Sequence, residues 1–147
     1  MHDMADDVAP ATPPRMLPPL NDHNRAFWTG GADGLLMIAW CARCERYVHP
    51  PAVDCPGCEG ELSSRAVSGR GTVFTYTVNH QPFMPNVSVP YVIAIVELEE
   101  QSDLRVATNI VDCKPDSMCV GLPVEVRFEP QDADGETVFV PVFAPRR

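Results

Sequence analysis

From residue 71 onward the apolar positions alternate with polar ones, and the alternation predicts β-strands. It is clearest where Val124, Val126 and Phe128 interleave with Glu125, Arg127 and Glu129, the two-residue period of a strand with one face buried. Segments rich in Val, Ile, Thr, Tyr and Phe, bounded by Gly, Pro, Asp and Asn, place strands at 71–80, 91–98, 104–111, 122–128 and 137–143. Polar turns at 99–103 and 132–135 make hairpins of the second and third strands and of the fourth and fifth. The stretch 112–121 is long enough for a short helical turn. Five strands in meander order with one break after the third point to a small barrel, of which the OB-fold is the commonest kind. A β-sandwich half is the alternative.

Ahead of the barrel the period changes. Asn21 and Asp22 are helix N-cap types, and Gly30-Gly31 reads as a stop, so a helix of two to three turns is expected between them. It is too short to stand alone. Adjacent residues on a helix lie about 100° apart, so Phe27 and Trp28 are not easily buried together by one small module. Both are expected to stand exposed as anchors. Leu35–Trp40 then reads as a strand. The chain thus divides into a proline-rich tail (1–20) expected to be flexible, either mobile or draped, a docking helix (21–34), a cysteine-containing zinc ribbon (35–66) and a barrel (67–147). The fold class is mainly β.

Cys41-Ala-Arg-Cys44 and Cys55-Pro-Gly-Cys58 form two C-x2-C pairs ten residues apart. Each tight turn presents two sulfurs to one ion, and two turns complete a tetrahedral S4 shell. Such a shell leaves no place for water, so the site is expected to be structural, with Zn²⁺ as its ion. Iron fits the same shell, but nothing else in the sequence asks for electron transfer. Cys113 and Cys119 lie among apolar neighbours and are expected to be buried small hydrophobes.

No catalytic constellation accompanies this. Gly69-Arg70-Gly71 lacks the following helix of a dinucleotide site, and no P-loop or G-x-S-x-G elbow is present. His49, beside Pro50-Pro51, is accounted for by packing. His80 closes the first barrel strand. It leads into Gln81–Pro90, a segment with Phe83, Met84, Val87 and Val89 but no strand period. A loop of this length in a compact domain tends to be functional. Asn21–Leu36 and Asn79–Tyr91 are therefore expected to form a partner interface carried by Phe27, Trp28, His80, Phe83 and Met84, unless the loop folds back as a lid.

Charge changes the picture in one respect. The 147 residues carry 20 acidic and 11 basic side chains, a formal net charge of −9. Such a balance disfavours nucleic acid and anionic membranes as partners. No apolar run is long enough for a transmembrane helix, and the first residues lack the layout of a signal peptide, so a cytoplasmic protein is expected.

Phe27-Trp28 and Gly34-Leu35-Leu36 precede the first cysteine pair. His49-Pro50-Pro51, the second pair and Gly69-x-Gly71-Thr72-Val73-Phe74-Thr75-Tyr76-Thr77-Val78 follow. Pro90–Leu98, Val120–Val126 and Pro141-Val142-Phe143 close the series. This ordered set resembles the acyl-CoA-associated family with a rubredoxin-like zinc ribbon and an OB-fold, long catalogued as a domain of unknown function. The match covers about residues 25 to 145. The resemblance implies a non-catalytic accessory subunit of a thiolase-fold enzyme (a thiolase, aldolase or acyltransferase) that helps bind or channel an acyl-CoA thioester. Between Cys41 and Gly71 four acidic residues face Arg43, Arg46, Arg65 and Arg70, whereas residues 86–140 carry eleven acids against three bases. If CoA phosphates are held on this chain, those four arginines are the expected site. The competing reading is a nucleic-acid-binding ribbon/OB protein with Phe74, Tyr76 and Phe83 stacking on bases.

Overall fold

The computed structural model describes residues 15–83 and 87–146. It contains a short helix, a three-stranded ribbon sheet and a closed five-stranded barrel, so the mainly-β, ribbon-plus-OB expectation holds. Helix α1 (Arg25–Thr29) continues into a 3-10 turn (Gly30–Asp33). The ribbon consists of β1 (Leu36–Cys41), β2 (Arg46–Val48) and β3 (Leu62–Val67) in the antiparallel order β2-β1-β3. The barrel strands are β4 (Arg70–Asn79), β5 (Tyr91–Leu98), β6 (Arg105–Ile110), β7 (Pro123–Ala133) and β8 (Glu136–Pro145), closed in the order β4-β5-β6-β8-β7. The 112–121 break holds a 3-10 turn at Pro115–Ser117. No described helix is long and apolar enough to cross a membrane.

The last two strands run longer than the alternation suggests. β7 and β8 pair from Val124↔Pro145 to Ala133↔Glu136, and the turn shrinks to Asp134-Gly135 with φ of 51° and 82°. Positive φ at both central residues is the two-residue turn whose twist matches a hairpin. In β4 the register slips between Val73 and Thr75. Phe74 is the extra residue of a bulge, and the inward positions change from Gly71 and Val73 to Tyr76 and Val78. Closure between β6 and β8 is narrow. One parallel bridge, Ile110↔Phe143, is extended by the Val111 amide donating to the Phe143 carbonyl at 2.8 Å. The Thr108 hydroxyl donates to the Pro141 carbonyl at 3.2 Å.

Ribbon and barrel share one core. Leu36 and Ile38 of β1 are buried in the same cluster as Val73, Val96, Val106, Val124 and Phe143 of the barrel, and Phe27 of α1 joins them. The seam is also polar. The Gln101 side chain accepts from the Tyr47 amide at 2.7 Å and donates to the Tyr47 carbonyl at 3.1 Å, so one amide side chain completes the pairing of β2. Arg46 reaches Asp103 at 3.1 Å, and the Ser68 amide donates to Glu100 at 2.6 Å. The 99–103 turn is therefore the clamp that holds the ribbon.

Three expectations need correction. α1 spans only five residues and ends at its C-cap Gly30 as expected, but the chain does not leave the helical path there: it winds on as a 3-10 turn to Asp33, capped by Gly34 at φ 74°. Gly30 and Gly31 are needed for close approach. A Cβ on Gly31 would sit 2.5 Å from Phe139 and 2.6 Å from the Phe128 ring, and one on Gly30 would sit 2.6 Å from the Leu35 carbonyl. Phe27 is not an exposed anchor. It is 8% exposed, edge-on to Trp28 at 5.0 Å and tilted against His49 at 4.9 Å. The ribbon and β8 cover it together, which no single module would do. Finally, the end of the expected tail is tied down. The Arg15 backbone exchanges two hydrogen bonds with the Gln131 side chain, at 2.9 and 3.0 Å. Its guanidinium reaches Asn109 at 2.6 Å and Glu129 at 2.9 Å. Residues 1–14 of that tail lie outside the described residues.

Two consequences can be measured. Gly31→Ala should destabilise the chain by about 1–3 kcal/mol, because the methyl group overpacks two phenylalanines; an unchanged melting temperature would contradict the close approach. Burial lowers the His49 pKa to about 4 from its usual 6.5. The folded protein therefore holds this imidazole neutral while the unfolded chain protonates it. The contribution is intact above pH 6.5 and is lost as pH falls toward 4, to a total of about 3 kcal/mol. Urea unfolding of the wild type and His49→Phe at pH 7 and pH 4 should show that extra acid sensitivity in the wild type only.

Candidate metal centre and ribbon junction

β1 ends at Cys41, and the turn into β2 carries Cys44. The second pair sits in the loop before β3, where the isolated bridge Asp54↔Glu61 and the Cys55 amide donating to the Gly60 carbonyl at 2.9 Å close a tight knuckle. The register Cys41↔Leu62 brings this loop against the first turn. The four Sγ atoms lie within 4.8 Å of one another, with Cys41–Cys58 at 3.5 Å and Cys44–Cys55 at 3.9 Å. A tetrahedral S4 site with metal–sulfur bonds of about 2.3 Å needs sulfurs about 3.8 Å apart. The cluster fits that shell.

The backbone reinforces the fit. Amides of Cys44, Gly57 and Gly60 donate to the sulfurs of Cys41, Cys55 and Cys58 at 3.3, 3.3 and 3.4 Å. Such bonds stabilise sulfur carrying negative charge and orient it as a ligand. The Cys44 amide is the main cause that lowers the Cys41 thiol to about 7. Cys44 is pushed the other way, to about 12, chiefly by its hydrogen bonds to Cys58 and Cys41. Four sulfurs this close do not all ionise without a cation between them. Cys41 and Cys55 are buried, Cys58 is half-buried and Cys44 is exposed, so the site sits at the ribbon tip. Four sulfurs around one ion would leave no position for a substrate oxygen, so the cluster is compatible with a structural metal site.

The four arginines make different contacts. Arg46 is held by Asp103, and Arg70 by Glu99 at 2.7 Å. Arg65 lies 4.2 Å over the Trp40 ring, which itself stands edge-on to Tyr47 at 4.8 Å. Arg43 approaches Gly60 beside the metal knuckle and has no acidic partner among the described residues. Arg46 thus fastens the ribbon to the acidic β5–β6 turn, while Arg70, at the start of β4, holds the same turn from within the barrel.

The aromatic candidates also separate. Trp28 is half-buried against the core. His80 is exposed just after β4, and Phe83 is 75% exposed in the following loop, beyond an Asn79 side chain that bonds the Gln81 backbone twice. The described part of the loop does not close as a lid on the barrel. Met84 lies outside the described residues. Tyr76 turns inward and donates its hydroxyl to the Met118 carbonyl at 3.2 Å, while Arg105 covers Phe74 at 3.7 Å. Two of the three rings expected to stack on bases are thus engaged within the chain. Cys113 is half-buried, but Cys119 is exposed, against expectation. Among the described residues no serine or cysteine hydroxyl or thiol is hydrogen-bonded to a histidine, and the buried Nδ1 of His49 has no partner.

The sequence reading missed two contacts that build the junction, the Gln101 clamp and the Arg15 anchor. Neither carries a motif. A glutamine in a hairpin turn and an arginine after a proline pair acquire a role only when another element arrives beside them.

With this geometry in hand, the comparisons with known proteins are informative. A family model described as the C-terminal OB-fold domain of ChsH2 matches residues 64–129. A DUF35 domain-containing scaffold protein of Methanothermobacter thermautotrophicus is 39% identical over 99 residues, covering 65% of this chain and 73% of the relative. A probable enoyl-CoA hydratase alpha subunit of Thermomonospora curvata is 38% identical over 133 residues, or 89% of this chain. This chain spans only 40% of that relative's length. The solved structure of an Ltp2-ChsH2(DUF35) aldolase contains a similar chain at TM-score 0.71 and 38% identity, with 88% of this chain and 98% of that one covered.

Replacing one ligand tests the metal centre. Cys41→Ser should abolish binding of the single ion, because the metal supplies most of the folding energy of so small a ribbon. Hydrogen exchange should then show β1–β3 open. The barrel should persist with a lowered melting temperature, since Leu36 and Ile38 leave its core. Full protection of β1–β3 in a metal-free variant would contradict the assignment.

Proposed function

The chain belongs to the DUF35 scaffold family, and we propose that it is a non-catalytic accessory subunit of a thiolase-fold enzyme acting on acyl-CoA thioesters, with Zn²⁺ as the structural ion of its ribbon. The observation that carries this reading is the match to nearly the whole length of one chain in an aldolase named for two components, at an identity well above the level where only the fold is shared. The four-thiolate shell favours zinc, which accepts tetrahedral sulfur without d-electron preference and does no redox chemistry. When bound, the ion orders the ribbon. The chain's own residues then set the shape presented to the partner.

The reading is supported from another side by the description of two relatives as DUF35 domain-containing scaffold proteins, and in it the reacting groups fall to the partner. Phe83, exposed next to His80, and the outer edge of Trp28 are the anchors assigned to the interface. Of the four arginines, Arg46 and Arg70 are committed to carboxylates, which leaves Arg43, and Arg65 stacked on Trp40, to approach a CoA phosphate.

The test is reconstitution. The zinc-loaded chain alone should not thiolyse, cleave or hydrolyse acyl-CoA, whereas an affinity-tagged chain expressed in its own host should copurify with a thiolase-fold protein and raise that protein's turnover. Phe83→Ala should weaken the complex about tenfold and leave the free chain's melting temperature within a few degrees. Sustained turnover by the chain alone, or copurification only with nucleic acid, would contradict the proposal.

A further inference from the structure

The ribbon sheet has an open edge. In the order β2-β1-β3, β1 covers β3 along its full length, from Leu36↔Val67 to Cys41↔Leu62. On its other side β3 has no backbone partner among the described residues. Antiparallel pairing sends alternate residues' N–H and C=O groups to opposite sides, so about half of the strand's backbone groups point away from β1. Exposed edges are usually blunted by proline, lysine or a bulge. Leu62-Ser63-Ser64-Arg65-Ala66-Val67 has none of these, and its register with β1 is unbroken.

Two further features lie along this edge. Cross-strand partners share a face, so Ala39, Ser64 and Leu62 form one side of β1–β3, and there they floor a cleft of about 250 Å³. Its walls are Ala52 and Val53 from the loop before the second cysteine pair, and Asp22 and His23 from the turn before α1. On the opposite face Arg65 stacks on Trp40 and has no carboxylate partner among the described residues.

We propose that β3 is a docking edge at which an extended segment of the catalytic partner adds as a fourth strand. The segment's alternate side chains recognise the two faces: small apolar residues enter the cleft, and an acidic residue meets Arg65. This rests on the accessory-subunit reading and names the surface that reading requires. The open backbone groups select an extended peptide, main-chain bonds supply affinity, and the side-chain pockets supply register. A second copy of this chain is the poorer occupant. Each copy carries a net charge of −9, and a contact between two six-residue strands buries far less than the roughly 1,200 Å² of a stable interface.

The experiment uses the complex purified on the tagged, zinc-loaded chain. Hydrogen exchange of residues 61–68 should slow about tenfold or more in the complex relative to the free chain. Val53→Asp and Arg65→Glu, both on exposed side chains, should each weaken the complex about tenfold without lowering the free chain's melting temperature. A complex in which β3 exchanges as fast as in the free chain, or in which both variants bind like wild type, would overturn the docking edge and leave the accessory role standing. Failure to recover any partner would overturn both.

Discussion

Four sulfurs held within 4.8 Å of one another are the constraint on which the rest of this molecule depends. Uncompensated, they repel as thiolates or compete for hydrogen bonds as thiols; around one cation they close a shell. A bound ion would join the two loops, fix the turn between β1 and β2, and set the approach to β3. The ribbon sheet then has a definite face, and Leu36 and Ile38 on that face complete the barrel's core. A metal site at the tip thus reaches the barrel through a few buried aliphatic side chains.

The second layer is the junction. Gln101 satisfies both backbone groups of Tyr47, and the acids of the β5–β6 turn pair with arginines of the ribbon and of β4. The exposed ion pairs add little stability singly. The neutral glutamine bridge, by contrast, leaves no unpaired backbone group at a partly covered strand. Together they fix the orientation of the ribbon while leaving its far edge and His80–Phe83 exposed. A body held together in this way fits the scaffold description that its DUF35 relatives carry.

Much of this was legible in the sequence, for physical reasons that differ by element. The C-x2-C pairs announce themselves because ligand spacing is dictated by the ion. The barrel strands announce themselves because a half-buried strand must alternate, as Val124–Glu129 does. What the sequence hid depends on who arrives from elsewhere in the chain. Gly30-Gly31 reads only as a helix stop, but Gly31 also lets the chain approach Phe128 and Phe139, about a hundred residues away. Phe27 reads as an exposed anchor because neither ribbon nor barrel alone would cover it; both do. Arg65 and Arg70 look like equals in a basic cluster until the fold stacks one on Trp40 and pairs the other with Glu99.

In the proposed role, a metal-ordered ribbon and the barrel work together as one accessory subunit of a heteromeric acyl-CoA enzyme. Native mass spectrometry of the complex isolated from the source organism tests it most directly. The predicted result is a heteromer of this chain with a thiolase-fold subunit, carrying one zinc per copy of this chain. A chain that flies alone, or a complex that assembles with no metal in the ribbon, would contradict the claim.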